Sequence, residues 1–133
     1  MVNIIIGTGY VSLVSGACLA DFGNTVVCVD SDANKIAKLK NGDITIFEPG
    51  LEEVVERNVK VGRLAFTTEL GSSLNNSDVV FIAVGTPPME DGSADLQYVE
   101  QVARRLGRFI NKCIIIVSLI RLFTPQNIGK ALR

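Results

Sequence analysis

Short, mostly apolar runs alternate along the chain with longer stretches in which apolar residues recur every three or four positions. The runs are typical of strands buried on both faces of a parallel sheet, and the recurring positions are typical of helices. The predicted strands lie at about residues 2–6, 25–29, 64–67, 78–84 and 113–118. The predicted helices lie at about residues 10–22, 33–41, 51–61, 69–75 and 95–109.

The alternation of strands and helices predicts a single α/β domain. Right-handed crossovers between parallel strands give a Rossmann-like, doubly wound sheet, here in the predicted strand order 3-2-1-4-5. Ligands of such sheets bind at the carboxyl ends of the strands, where the order reverses. The reversal lies between strands one and four, so we expect the segments that follow them, Gly7-Thr8-Gly9 and Gly85-Thr86-Pro87, to meet at one crevice.

The turn after the first strand carries the strongest chemical signal. Gly7 permits a tight turn, and Gly9 lets the backbone approach a diphosphate, whose charge the next helix N-terminus stabilises. Asp30 ends the second strand, twenty-one residues after Gly9, where a carboxylate accepts hydrogen bonds from an adenosine ribose. The pattern predicts a nicotinamide-dinucleotide site. The carboxylate favours NAD over NADP because it repels a 2′-phosphate.

The turn departs from the usual pattern at its third glycine position, where Ser12 stands. That glycine normally allows close packing of helix against strand. Two outcomes are open for the serine: a slight shift of the helix, or a hydroxyl that bonds back to a helix carbonyl. A tight turn in an unrelated α/β domain is the competing interpretation of the glycine pair.

Two further polar residues are candidates for the same site. Lys35 lies early in the second helix, which Ser31 or Asp32 caps. It either reaches the ribose or diphosphate or is an ordinary surface lysine. Thr86 follows Gly85 after the fourth strand. It either offers a hydroxyl and an amide beside the nicotinamide-side ribose or is a turn residue ahead of two prolines.

Length and hydrophobic content narrow the class of protein. The 133 residues suffice for one core, and a hydrophobic share of 47% suits a sheet covered on both faces. No apolar stretch approaches the roughly 20 residues needed to cross a bilayer. The N-terminus also lacks the basic segment of a signal peptide. We therefore expect a cytoplasmic protein with no membrane partner.

Residues suited to catalysis are scarce. The chain has no histidine, the commonest general base and metal ligand, so we predict neither a metal site nor a catalytic residue within it. The three cysteines, Cys18, Cys28 and Cys113, match no metal-binding spacing and fall in apolar elements. Since unpaired cysteine is among the most buried residue types, we expect three inert core thiols.

Charge is distributed unevenly along the chain. Residues 1–100 hold six basic and fourteen acidic residues, whereas residues 101–133 hold seven basic residues and no acid. Arg104, Arg105 and Arg108 fall near the end of a predicted helix, where solvated cations complement the helix dipole. No ladder of aromatic residues interleaves with these charges, so we predict no nucleic-acid partner.

Several segments together resemble the amino-terminal domain of the UDP-glucose 6-dehydrogenase family, over about residues 2–117. The segments that carry the resemblance are Gly7 to Val11, Gly16 to Ala20, Cys28 to Asp30, Ile46 to Leu51, Val84 to Pro87, Asp91 to Leu96, and Tyr98 with Val99. The resemblance implies an enzyme that oxidises the C6 alcohol of a UDP-sugar to a carboxylate. The family uses two NAD molecules in sequence and passes through a thiohemiacetal.

The resemblance also implies particular cofactor contacts. Val11, Asp30, Lys35 and Thr86 match family positions that contact NAD, and the loop at 48–51 is expected near the mouth of the active site. The predicted cofactor-binding residues, from the turn and the resemblance together, are Gly7, Gly9, Tyr10, Val11, Asp30, Lys35, Gly85 and Thr86.

The last part of the chain departs from the family pattern. After strand five the family has a loop that closes over the cofactor, and here Arg121 stands where that loop has an NAD-contacting threonine. Arg121 either binds phosphate or obstructs the site. We expect residues 1–118 to form the NAD-binding domain and residues 119–133 to be a divergent segment. The family's catalytic residues and its central and UDP-sugar-binding domains have no counterpart here, so we expect this truncated chain alone to be inactive.

Three functions are open at this point. The first is the NAD-binding domain of a UDP-glucose 6-dehydrogenase, which binds NAD and, in the full-length protein only, a UDP-sugar. The second is the same domain of a sister dehydrogenase that acts on GDP-mannose or a UDP-N-acetylaminosugar. The third is a non-catalytic nucleotide-binding module. Apolar surface left uncovered by absent domains predicts self-association as a homodimer.

Overall fold

Strands and helices alternate as the sequence predicts, and their ends lie within three residues of the predicted ends. The computed structural model describes residues 1–109 and the backbone of residues 114–117. The strands are β1 (Val2–Ile6), β2 (Thr25–Val29), β3 (Leu64–Thr67), β4 (Val79–Ile82) and β5 (Ile114–Val117). The helices are α1 (Tyr10–Asp21), α2 (Ala33–Lys40), α3 (Leu51–Lys60), α4 (Leu70–Leu74) and α5 (Gln97–Leu106). Over the described ranges, no helix is long and apolar enough to cross a membrane.

The strands form one parallel sheet in the order β3-β2-β1-β4-β5, which confirms the predicted fold class and strand order. At the end of the middle strand, Ile6 of β1 pairs with Val29 of β2 on one side and with Ile82 of β4 on the other. These three strands therefore end side by side. The segments that follow them leave the sheet at one edge, where a ligand cleft is expected.

The sheet separates two apolar cores. On one face, Ile5 packs in a cluster with Leu13 of α1 and with buried residues of α2 and α3. On the other face, Ile4 packs with Leu70 of α4 and Leu106 of α5. Burial of one such side chain contributes about 1.5–3 kcal/mol. Because both faces are covered, the strands appear in the sequence as continuous apolar runs, and the edge that carries the cleft is held from both sides.

Helix α1 approaches the sheet closely at Gly16. A Cβ at this position would lie 2.9 Å from the Cys28 sulfur and 3.3 Å from Cδ1 of Ile5. The close helix–strand contact that the third glycine of the turn normally provides is therefore available one helical turn later. In the sequence, Gly16 was noted only within a segment that carries the family resemblance, and its packing role was not predicted.

The two described cysteines have opposite environments. Cys28 is buried in β2, and burial raises the pKa of its thiol to about 12, so it is inert as predicted. Cys18 is exposed, and the prediction that it is a core residue was wrong. The residues of α1 that face the sheet include Leu13, Ala17 and Ala20, and Cys18 lies on the opposite side of the helix. Cys113 lies outside the described residues.

Candidate functional site

A cleft of about 680 Å³ lies at the carboxyl edge of the sheet, where the strand order reverses. The volume is within the range of small-molecule and cofactor sites, about 300–1,000 Å³. The ends of β1, β2 and β4 form its base, and one face of α5 forms a side wall. The predicted site residues that line it are Gly7, Gly9, Asp30, Lys35 and Gly85.

Gly7 makes the turn possible by having no side chain. Its φ of +114° is a conformation that residues with a Cβ rarely adopt. A Cβ here would lie 2.6 Å from the carbonyl oxygen of Ala83, just after β4. The Gly7 amide also donates to the carbonyl of Val29, with the two atoms 2.7 Å apart. The turn is thereby held between the ends of β2 and β4.

The first turn of α1 opens onto the cleft at Gly9. Gly9 is the N-cap residue and supplies no side-chain hydrogen bond to the helix. The first intrahelical bond runs from the Leu13 amide to the Gly9 carbonyl, over 3.0 Å. Amides at the start of a helix have no intrahelical acceptor, and together with the helix dipole they favour an anion. This end of the cleft is suited to a diphosphate.

Ser12 lies directly beneath the turn. Ser12 is buried, and its hydroxyl donates to the Gly9 carbonyl at a distance of 3.2 Å. Of the two outcomes that the sequence left open for Ser12, the hydroxyl bonded to a backbone carbonyl is the one observed. A Cβ at Gly7 would lie 3.4 Å from this oxygen, so the hydroxyl fills space that a glycine would leave empty.

The carboxylate of Asp30 is fixed by two hydrogen bonds at the end of β2. The Thr8 hydroxyl donates to Oδ2 at a distance of 2.5 Å, and the Asp32 amide donates to Oδ1 at a distance of 2.9 Å. Each carboxylate oxygen has a second lone-pair site, so Asp30 can accept further hydrogen bonds from a diol. The role of Thr8 was not predicted, because many residue types fit the middle of a Gly-x-Gly turn.

Lys35 lies between two cavities. It lines the main cleft and also a neighbouring cavity of about 190 Å³, whose lining includes Tyr10 and Ile46. Its backbone amide, with that of Asn34, donates to the side chain of Asp32, so Asp32 rather than Ser31 caps α2. Within residues 1–109, the structure gives the Lys35 ammonium no ion pair. Its charge is therefore available to an anion in either cavity.

Tyr10 joins α1 to the loop that precedes α3. Its hydroxyl donates to Glu48 Oε2 at a distance of 2.5 Å. This hydrogen bond and the negative charge of Glu48 raise the pKa of the Tyr10 phenol. Tyr10 borders the smaller cavity and does not line the main cleft. The structure thus connects the predicted cofactor turn to the loop that the sequence analysis assigned to the active-site mouth.

Val11 and Thr86 lie beside the main cleft without lining it. Val11 is half-buried in the first turn of α1, next to the exposed Tyr10. Thr86 stands between Gly85 and Pro87, both of which do line the cleft. Contacts of Val11 and Thr86 with a cofactor therefore stay predictions. Arg121, the other residue in question, lies outside the described residues.

One face of α5 was missed as part of the site. Tyr98, Gln101, Val102 and Arg105 all line the cleft. Arg105 also lies in the last turn of α5, as the dipole argument predicted, but that argument gave no reason to place it at a ligand. The available signal was the spacing of the four residues, which puts them on one side of a helix.

The donors and acceptors of the cleft fit a dinucleotide. The glycine turn and the uncapped start of α1 suit the diphosphate, and the fixed carboxylate of Asp30 suits a ribose diol. No group of three or more metal-binding side chains is present among the residues that the structure describes. The fold and the site together define a dinucleotide-binding domain of the doubly wound α/β class.

Comparison with known proteins narrows this class. The pattern of the UDP-glucose/GDP-mannose dehydrogenase family, NAD binding domain, matches residues 1–132. The chain belongs to this family of NAD-dependent sugar dehydrogenases and contains its NAD-binding domain, so its cofactor is NAD.

Two curated relatives illustrate the similarity. UDP-glucose 6-dehydrogenase TuaD of Bacillus subtilis (strain 168) is 49% identical over 126 residues, which are 95% of this chain and 27% of that protein. UDP-glucose 6-dehydrogenase of Rhizobium meliloti (strain 1021) is 54% identical over 115 residues, or 86% of this chain and 26% of that protein. The chain thus spans only about a quarter of the length of these relatives.

Solved structures share the fold. A ternary complex of GDP-mannose dehydrogenase from Pseudomonas aeruginosa superposes with a TM-score of 0.86 at 37% identity, covering 92% of this chain and 29% of that one. A UDP-glucose dehydrogenase from the archaeon Pyrobaculum islandicum gives a TM-score of 0.80 at 36% identity, covering 98% of this chain and 32% of that one.

Proposed function

We propose that this chain is the NAD-binding domain of a UDP-glucose 6-dehydrogenase, which in its complete form oxidises the C6 alcohol of UDP-glucose to a carboxylate. The observation that carries the proposal is the cleft in which the glycine turn, the uncapped start of α1 and the fixed Asp30 carboxylate meet. The choice of UDP-glucose is supported by the identity of 49% and 54% to two UDP-glucose 6-dehydrogenases.

Each predicted residue has a role in this proposal. Gly7 and Gly9 bring the start of α1 against the diphosphate, and Asp30 accepts hydrogen bonds from the adenosine ribose. Lys35 adds a positive charge from the side of the smaller cavity. The remaining proposed contacts surround these groups; they are Tyr10, Val11, Gly85 and Thr86. When bound, NAD would serve as the hydride acceptor, and because conversion of an alcohol to a carboxylate removes four electrons, two NAD molecules would be needed in sequence.

Among the residues that the structure describes, no cysteine lines the cleft, and the exposed Cys18 lies elsewhere on α1. Burial raises the pKa of the Cys28 thiol to about 12, so it carries no thiolate near neutral pH. The chain contains no histidine. We therefore assign the covalent chemistry and the UDP-sugar site to parts of the complete protein beyond the family's NAD-binding domain, and we expect no turnover by this chain alone.

The domain limits and partners follow the same interpretation. We propose residues 1–118 as the NAD-binding domain and residues 119–133 as a segment that diverges from the family. A homodimer and a cytoplasmic location stay predictions from the sequence. Light scattering at high protein concentration tests the first, because a monomer there would contradict self-association through uncovered apolar surface.

NAD titration of the 133-residue chain tests the proposed function. We expect calorimetry to show NAD binding that is tighter than NADP binding, because Asp30 repels a 2′-phosphate. Asp30→Ala should weaken the binding of NAD about 10- to 100-fold, because a hydrogen bond to a charged acceptor contributes about 1.5–3 kcal/mol. It should leave the affinity for inorganic diphosphate nearly unchanged.

Asp43→Ala is the matched control for this titration. Asp43 is an exposed aspartate that does not line the cleft, so its loss should leave NAD affinity unchanged. If the wild-type chain bound neither NAD nor any other adenine dinucleotide, the proposal would be wrong, and a degenerate relic of such a domain would be favoured.

A sister activity is the second candidate, because the GDP-mannose dehydrogenase structure superposes with a TM-score of 0.86. The sugar is chosen largely by domains beyond this one. Initial rates of the complete protein with UDP-glucose, GDP-mannose and UDP-N-acetylmannosamine distinguish the candidates. We expect two equivalents of NADH per UDP-glucose, and faster oxidation of either other sugar would move the assignment to that sister enzyme.

A further inference from the structure

Thr8 joins two parts of the cleft that come from distant segments of the chain. It is the middle residue of the turn between Gly7 and Gly9, and it is buried in the lining of the cleft. Its hydroxyl donates to Oδ2 of Asp30, 22 positions further along the chain. Because an ionised carboxylate only accepts hydrogen bonds, the threonine must be the donor. One side chain therefore connects the glycine turn to the carboxylate at the end of β2.

The Thr8 hydroxyl determines the plane of the Asp30 carboxylate. The other hydrogen bond to this group comes from the Asp32 amide, only two positions away, and it reaches Oδ1 alone. A single bond leaves the carboxylate free to turn about its link to Cβ, since this torsion of aspartate has no sharp minimum. The second bond, on Oδ2, removes that freedom. The lone-pair sites that remain for a ligand thus have a fixed direction.

This fixed direction matters because the parts of a dinucleotide are covalently joined. The adenosine ribose follows the diphosphate directly, so the acceptor for the ribose must stand at a set distance and angle from the glycine turn. The amide of Gly7 holds the backbone of the turn to the carbonyl of Val29, at the end of β2. Thr8 extends this attachment to the side chain of Asp30. A side chain already held in its bound orientation loses less freedom when a ligand arrives.

We propose that Thr8 is a positioning residue, whose hydroxyl holds Asp30 in the orientation that accepts the ribose diol. The proposal rests on the proposed NAD site and adds to it a residue that acts through Asp30 rather than by its own contact with the cofactor. It also extends to the choice between NAD and NADP. A carboxylate that is free to turn can move away from a 2′-phosphate, so the loss of the Thr8 hydroxyl should relax that choice.

The decisive experiment compares Thr8→Ala with Thr8→Ser by calorimetric titration of the 133-residue chain. These two variants differ from each other only in the hydroxyl. We expect Thr8→Ala to weaken the binding of NAD and of ADP-ribose about 2- to 10-fold, the cost of ordering a side chain that is no longer held. Thr8→Ser should stay within about twofold of the wild-type chain. Equal affinities in the two variants would overturn the proposal.

A double-mutant cycle shows whether Thr8 acts through Asp30. If it does, adding Thr8→Ala to Asp30→Ala should cause almost no further loss of NAD affinity, because the group that Thr8 positions is already absent. A further loss as large as that in the wild-type background would mean that Thr8 contacts NAD itself or supports the turn. Either meaning would overturn the proposal.

Two other ligands separate positioning from damage to the turn. Thr8→Ala should leave the affinity for inorganic diphosphate unchanged, because that ligand has no ribose. A loss equal to the loss for NAD would assign the effect to the turn and overturn the proposal. The preference for NAD over NADP should fall at least about twofold in Thr8→Ala and persist in Thr8→Ser. An undiminished preference in Thr8→Ala would contradict the fixed orientation of Asp30.

Controls show whether the variants remain folded. Thr25→Ala makes the same change at an exposed threonine at the opposite end of β2, so it should leave NAD affinity unchanged. Thermal unfolding of each variant checks that the fold is intact. Should Thr8→Ala fail to fold, Thr8→Val carries the same comparison with Thr8→Ser, because valine has nearly the volume of threonine and lacks the hydroxyl.

The outcomes distinguish this inference from the proposed function. If Asp30→Ala weakens NAD and Thr8→Ala does not, the NAD site stands and the assignment of Thr8 is wrong. If the wild-type chain fails to bind NAD, both are wrong.

Discussion

The two walls of the cleft are built in different ways. The glycine-turn wall, formed by residues 7–9 and Asp30, is held by the fold: Gly7 and Thr8 are buried, and the half-buried Asp30 is held by two hydrogen bonds. The α5 wall, formed by Tyr98, Gln101 and Arg105, consists of exposed side chains, and Tyr98 is 49% exposed. The first wall is therefore fixed before any ligand arrives, whereas the second has side chains that can adjust to one.

This difference predicts how each wall responds to substitution. Changes in the glycine-turn wall disturb the packing of β1, β2 and β4, so they should reduce both stability and binding. Changes in the α5 wall remove surface contacts, so they should reduce binding alone. A substitution in the α5 wall that destabilised the fold, or one in the glycine-turn wall that weakened binding alone, would contradict this division.

Gly7→Ala should have the largest effect. The new Cβ would lie 2.6 Å from the Ala83 carbonyl oxygen in a backbone of φ +114°. A left-handed backbone costs a residue with a Cβ about 1–2 kcal/mol. Overpacking adds about 1–3 kcal/mol. We therefore expect the free energy of unfolding in urea to fall by about 2–5 kcal/mol, with NAD affinity falling as well.

Gly85→Ala is the matched control for this change. A Cβ on Gly85 would meet nothing within 4 Å, and its φ lies outside the left-handed region. We expect the free energy of unfolding to change by less than about 1 kcal/mol. A Gly85→Ala variant as unstable as Gly7→Ala would show that the rigidity of the turn does not come from its contact with β4.

Substitutions at Ser12 should have intermediate effects on stability. Ser12→Ala removes the hydrogen bond to the Gly9 carbonyl, a loss of about 0.5–1.5 kcal/mol. Ser12→Gly loses the same bond and about 1 kcal/mol more, because glycine is unfavourable within a helix. Urea unfolding of both variants measures the difference. A more stable Ser12→Gly variant would mean that the serine strains the turn.

The smallest effect concerns the pH dependence of the Tyr10–Glu48 contact. Because Glu48 raises the pKa of Tyr10, the hydrogen bond is fully present below the ordinary tyrosine pKa of about 10 and is lost as pH rises through the higher folded-state value. The phenolate absorbance of Tyr10 should therefore appear only above the ordinary tyrosine range. Glu48→Gln should lower the pKa of Tyr10, with Tyr10→Phe identifying its signal. An unchanged Tyr10 titration in Glu48→Gln would contradict the contact.

The parts of the structure that the sequence predicted are those in which backbone geometry demands a residue type. A glycine at position 7 and an acid at the end of β2 are required by the turn and by a ribose. The five apolar runs predicted the sheet because strands covered on both faces tolerate few polar residues. These constraints are local, so they are visible in short segments.

The features that escaped prediction depend on contacts between distant segments. The bond from Thr8 to Asp30 joins residues 22 positions apart, and several residue types fit either end. The exposure of Cys18 depends on which side of α1 meets the sheet, and that helix is apolar almost all round. Arg105 was explained by the helix dipole, which acts on every cation in that turn and does not distinguish Arg104 from Arg105.

The closeness of α1 to the sheet at Gly16 has a consequence for recognising such domains in other genomes. A search rule that insists on three glycines within six positions would discard this chain at Ser12. A rule that accepts serine there, provided that a glycine follows four residues later, would retain it. Sequences now set aside as degenerate at the third position are therefore worth screening for this shifted spacing.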